Sequence, residues 1–138
     1  MTLSVAEPST LRRRLQFTWV PARYAIVRLA PHEEMPNWAT RGEFVSITRT
    51  SAELSIVCPT ENLPADVISP YRWVCLKLRG QFAFSATGVL LSFIEPLSSN
   101  GIPVFAISTF DTDYVLIQEE FTQAALDRLM EAGHQLLP

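Results

Sequence analysis

Histidine and cysteine are scarce: the 138 residues contain two of each. With only His32 and His134, a histidine-rich metal site is excluded. His32-Glu33-Glu34-Met35-Pro36 opens like a zinc-protease helix, but Pro36 stands where the second histidine belongs. Both histidines read as exposed surface residues. Cys58 and Cys75 form no C-x-x-C pair and lie in apolar runs, so they read as reduced, buried thiols. The five glycines make no P-loop, no G-x-G-x-x-G and no G-x-S-x-G. No cofactor is implied. Basic charge is also short: the net charge is −3, which gives no field for nucleic acid. No apolar run approaches the roughly 18 residues of a membrane span. Arg12-Arg13-Arg14 is followed by Gln16, Pro21 and Arg23, which interrupt any signal-peptide core. The expectation is a soluble, cytoplasmic chain that contacts neither nucleic acid nor membrane.

What is present is apolar sequence, 48% of the chain against 18% charged, enough for a real core at this length. The charge divides unevenly. Residues 1–70 carry seven Arg against seven acids, whereas 71–138 carry four basic residues against seven acids. That imbalance suits a cationic or zwitterionic partner better than a phosphate.

Apolar, β-branched and aromatic runs predict strands at Leu15–Val20, Tyr24–Leu29, Phe44–Thr48, Leu54–Cys58, Trp73–Leu78, Pro103–Thr109 and Asp113–Ile117. Pro21-Ala22 should break the first pair, and Arg49–Glu53 should close a hairpin. Residues 31–41 hold at most a helical turn or two. Pro59, Pro64 and Pro70 mark a linker. Val89, Leu90, Phe93, Ile94 and Leu97 fall at helical spacing, so a helix is predicted over Thr87–Ser99, with Pro96 distorting its last turn and Asn100-Gly101 stopping it. A second helix, capped by Thr122, carries Ala125, Leu126, Leu129 and Met130 and ends near Gly133.

From Trp73 the order strand, helix, strand, strand, helix is a ferredoxin-like βαββαβ unit lacking its last strand, which the first half can supply. Aligning Ile47–Val57 with Ile107–Ile117 at an offset of 60 suggests an internal repeat. The predicted class is α+β: two ferredoxin-like lobes, the first degenerate, with antiparallel sheets and helices on one face. The boundaries are an arm at 1–14, a degenerate lobe at 15–70 and a fuller lobe at 71–138.

Candidate chemistry concentrates in one place. The loop after Trp73–Leu78 leads through Ser85, Thr87 and Gly88 to Val89, where a helix start offers free N–H groups to a carboxylate. If Pro103–Thr109 lies beside Trp73–Leu78, then Ser108, Thr109 and Asp111 reach the same edge. Asp111 or Asp113 then faces an ammonium group. The alternative is that the glycines merely shape the turn while Ser85 or Thr87 caps the helix. Asp111 and Asp113 flank a hairpin turn, where Asp is common for conformational reasons, so an acid–base pair is the weaker reading.

Gly88-Val89-Leu90-Leu91-Ser92-Phe93, then Gly101-Ile102-Pro103-Val104 and Ile107-Ser108-Thr109, resemble the pattern of ACT domains, regulatory modules that bind amino acids. Phe44–Thr50, Glu53–Pro59 and Ser108–Leu116 further resemble a small bacterial tandem-ACT family, itself similar to the ACT repeats of CASTOR-type arginine sensors. The resemblance implies a non-catalytic sensor that binds a free amino acid or similar metabolite at a lobe or subunit interface. Its ligand residues would be Ser85, Thr87, Gly88, Val89, Ser108, Thr109, Asp111 and Asp113. It implies a homodimer as well. The alternative is a protein–protein interaction module that pairs through its sheet edges with a partner enzyme.

Overall fold

The computed structural model describes residues 13–80 and 88–138. Its longest element, β1 (Gln16–Leu29), runs straight through the proline expected to break it. The reason is a bulge. Pairing with β4 (Trp73–Leu78) shifts between Val20 and Tyr24, and Ala22 turns through a φ of 87°. A bulged residue has no ladder partner, so the missing Pro21 N–H removes no hydrogen bond there. The Tyr24 hydroxyl donates to the Pro21 carbonyl at 2.6 Å and fastens the bulge. Past it the strand gains a second neighbour: Phe17–Val20 pairs with β4, whereas Tyr24–Leu29 pairs with β3 (Leu54–Pro59).

One continuous sheet results, in the order β2-β3-β1-β4-β6-β5, with β2 at Ser46–Arg49, β5 at Val104–Ser108 and β6 at Asp113–Gln118. Along this order every neighbour is antiparallel. The exception is β7 (Gln135–Leu136), two residues pairing in parallel with the start of β1. The second half therefore does end in a strand, but the place beside β4 belongs to β1, as the missing-strand argument requires. The expected neighbour of β4 needs correction. β6 lies between β4 and β5, which puts β5 at the sheet edge.

The two hairpins correspond, but not at an offset of 60. Arg49 faces Leu54 and Ser108 faces Asp113 across four-residue turns, and 108 − 49 and 113 − 54 both give 59. A slip of one residue exchanges the faces of a strand. At 59, Ile56 matches Val115 and Cys58 matches Ile117, residues buried on equivalent sides of their strands.

The helices α1 (Val89–Ser98) and α2 (Thr122–Glu131) cover one face of the second half. Val89, Phe93, Leu97, Ala125 and Leu129 meet Val74, Leu76, Leu78, Val115 and Ile117 there. Among its described residues, the helical structure of the first half is limited to single 3-10 turns at Asn37–Thr40 and Thr60–Asn62. Its core of Ala39, Leu54, Ile56 and Cys58 lies under irregular chain instead. Side chains hold that chain in place: Arg49 donates to the carbonyls of Pro31 and Glu33, and Asn62 donates to those of Trp38 and Arg41. Thr122 is the first helical residue rather than a cap, and its hydroxyl donates back to the Glu119 carbonyl at 2.6 Å.

Both helices end alike. Ile102 N–H donates to the Leu97 carbonyl and His134 N–H to the Leu129 carbonyl, the six-to-one bonds of a Schellman motif. Gly133, at a φ of 92°, supplies the left-handed residue this ending requires. The following residue turns inward, so Ile102 and His134 are both buried. This corrects the reading of His134 as an exposed residue; His32 is exposed. His134 also explains why Pro96 leaves α1 intact through Ser98. Proline has no N–H for the Ser92 carbonyl, and His134 Nε2 donates to that carbonyl at 2.8 Å instead.

Cys58 and Cys75 are fully buried, and burial pushes their thiols up to about 11 and about 12. Thiolate is the reactive form, so both should resist iodoacetamide at pH 8 while the protein is folded and react fully in urea. Fast labelling of the native chain, followed by mass spectrometry, contradicts this burial.

Candidate functional site

Strand ends decide which candidate residues meet. β4 runs out at Leu78 and Arg79 toward the loop before α1, and β6 begins beside it, with Lys77 opposite Tyr114. The β5–β6 turn therefore lies at the same end of the sheet as the start of α1. A buried side chain that the sequence did not point to ties the turn to the end of β4: Thr112 Oγ1 donates to the Leu78 carbonyl at 2.9 Å. The turn closes itself through Thr109. Its N–H donates to the Thr112 carbonyl at 2.8 Å, and its hydroxyl bonds the Thr112 backbone.

Each remaining candidate has a defined place. Ser108 and Asp113 face each other across the hairpin, and the Ser108 hydroxyl donates to the Asp113 carboxylate. Asp111 is exposed in the turn and makes an interaction of its own. Gly88 sits at the head of α1 in the left-handed region, with a φ of 76°, where a side chain would be strained. Its carbonyl accepts the Ser92 N–H at 2.9 Å. Val89 is buried in the helix-side core, so its backbone rather than its side chain is available to a ligand. Ser85 and Thr87 lie outside the described residues.

Charge around this end differs from what the acidic balance of the second half suggests. Two clefts open here. One of 360 Å³ is lined by Thr18, Lys77, Arg79, Gly80, Leu137 and Pro138. The other, of 440 Å³, is bordered by Arg14, Gln16, Arg79 and Gln135 among others. No carboxylate pairs with Arg14, Lys77 or Arg79 among the described residues. The clefts thus favour an anionic group such as a carboxylate. Among the described residues, no three His, Cys, Asp or Glu side chains come together as a metal site would need, and no helix is long and apolar enough to cross a membrane.

This geometry, helices on one face of a strand–helix–hairpin–helix unit, is that of an ACT domain, and the ACT-domain family model matches residues 68–131. A second family model, described as an N-terminal domain, matches residues 22–66. More particularly, the chain belongs to the family of the Agrobacterium tumefaciens protein Atu0741. It is 46% identical to that crystal structure, covers 91% of this chain and 93% of the other, and superposes with a TM-score of 0.86. A Vibrio cholerae protein of unknown function, described as a possible transport protein, shares the fold at 18% identity over 94% of this chain and 95% of the other, with a TM-score of 0.73. The aspartokinase alpha and beta subunits share it at 17% identity over 87% of this chain and 98% of that one, with a TM-score of 0.58. The human putative protein CASTOR3P is 31% identical over 91 residues, and the match spans 56% of each chain. The chain thus spans little more than half the length of that curated relative.

Proposed function

We propose that the chain is a non-catalytic regulatory module that binds a free amino acid or similar small metabolite. The ligand lies at the loop Ser85, Thr87, Gly88 and Val89 and at the turn Ser108, Thr109, Asp111 and Asp113, at a lobe or subunit interface. The carrying observation is the Thr112–Leu78 hydrogen bond, which holds this turn at the sheet end where α1 begins within the ACT match. Cationic clefts at that end offer a partner to a carboxylate, and Asp111 offers one to an ammonium. In this reading residues 15–70 form a degenerate lobe, 71–138 the sensing lobe and 1–14 an arm, and the protein works in the cytoplasm.

Thermal-shift measurements with each standard amino acid at millimolar concentration test it. A ligand at 100 times its Kd adds about 2.7 kcal/mol, a shift of several degrees at this size. Gly88→Ala and Asp111→Ala should each diminish that shift. No shift with any amino acid overturns the proposal.

A second reading rests on the sheet edges. Among the described residues, β2 and β5 each end the sheet with one side unpaired, and β5 carries the half-buried Phe105 and Ile107. Such edges suit pairing with a second copy or with a partner enzyme. Sedimentation should show a homodimer, and a monomer at all concentrations contradicts it.

A further inference from the structure

The face of the sheet opposite the helices carries a separate cleft of 210 Å³, where β1, β4 and β6 pass beside Glu43. Strand alternation places Thr18, Lys77 and Tyr114 on this face, because Phe17, Leu76, Leu78 and Val115 fill the helix-side core. Phe44 lays its ring against Tyr114, with centroids 4.4 Å apart, and meets Tyr24 edge-on at 6.0 Å. That packing fixes the neighbouring Glu43 at the rim. The Lys77 ammonium lies 5.9 Å from the centre of the Tyr114 ring. Trp19 also borders the cleft, but alternation turns its side chain to the helix side, opposite Leu76.

The cleft therefore has one aromatic wall, Tyr114, and one charge of each sign. Glu43 and Lys77 stay beyond ion-pair distance from one another, and neither pairs with any other described residue. Anything bound between them meets both charges. A simple anion is repelled by Glu43 and a simple cation by Lys77, whereas a molecule carrying both charges satisfies the two together. The volume of 210 Å³ equals about seven waters at about 30 Å³ each, which sets a small ligand. Thr18 and Lys77 also line the adjoining 360 Å³ cleft, which adds Arg79 and room beyond the anionic end.

We propose that this cleft binds a small zwitterion, its cationic end on the Glu43 carboxylate and its anionic end on the Lys77 ammonium, beside the Tyr114 ring. It is a second site, on the opposite face from the helices, and it shares Thr18 and Lys77 with the 360 Å³ cleft.

Amide chemical-shift mapping of the full chain tests it, with each standard amino acid, taurine and glycine betaine titrated to millimolar concentration. Saturable shifts are expected at Thr18, Glu43, Lys77 and Tyr114. Glu43→Gln and Lys77→Met should each weaken that binding by about tenfold without moving the melting temperature. Shifts confined to Gly88–Val89 and Ser108–Asp113 overturn this site and leave the proposed function standing. Shifts confined to the cleft support it and remove the loop site. Unchanged affinity in both variants overturns it, and no shifts with any probe overturn both.

Discussion

Replacing His134 with alanine should lower the unfolding free energy by about 3 kcal/mol, because two buried backbone groups lose their partners together. His134 Nδ1 accepts the Leu15 N–H at 3.0 Å, and Nε2 donates to the Ser92 carbonyl at 2.8 Å. A carbonyl only accepts, so the proton resides on Nε2 and the ring is neutral. One side chain thereby fastens the start of β1 to the middle of α1, exactly where Pro96 has removed the helix's own donor. Urea unfolding of His134→Ala checks the magnitude, and a loss below about 1 kcal/mol contradicts the account.

The same geometry sets a pH dependence. Burial lowers the pKa of His134 from its ordinary 6.5, and the bond to Ser92 offsets that only in part. Below pH 6.5 the unfolded chain therefore takes up a proton that the folded chain does not. Stability from this residue is complete above pH 6.5 and declines as pH falls toward the lowered value, by at most about 1.4 kcal/mol per pH unit. Protonation also removes the acceptor lone pair that Leu15 uses. His134→Ala should lack this slope below pH 6.5, and an identical slope in variant and parent contradicts the assignment.

Phe93→Ala should cost about 4 kcal/mol, the range for a fully buried aromatic ring. Phe93 meets Phe17 edge-on, with centroids 5.2 Å apart, and lies 5.4 Å from the His134 ring. It joins α1 to the strand donated by the first half and to the residue that ends α2. A domain of this size holds about 5–15 kcal/mol in all, so the variant is expected near the edge of folding at room temperature. The milder Phe93→Leu should retain the fold and lose about 1.5 kcal/mol. A small effect from both shows that α1 packs independently of β1. The two substitutions at His134 and Phe93 share a contact, so their combined cost should differ from the sum.

Periodicity made both helices and the strands other than β7 legible, although it divided β1 in two at Pro21. Trp73–Leu78 and the spacing Val89, Phe93, Leu97 state their structure directly, since side-chain alternation and helical stripes reflect which face is buried. Pairing order was not legible. Nothing local in Val104–Ser108 tells whether it lies beside β4 or one strand further out, and the sheet places β6 between them. Likewise, similar residues favoured an offset of 60 between hairpins, whereas facing positions require 59. His134 had a readable signal, as the inward residue after a helix-stopping glycine, but its partners come from residues 42 and 119 positions away.

The candidate site divides the same way. The sequence by itself determined an α+β chain with few ligand-type side chains, a glycine at a helix start and a polar hairpin turn, because those are properties of adjacent residues. Only the tertiary structure decided that Thr112 ties that turn to Leu78, that cations border the clefts, and that Glu43 shares a cleft with Lys77. These depend on which strands lie side by side, and that is fixed by burial summed over the whole sheet rather than by any local run of residues.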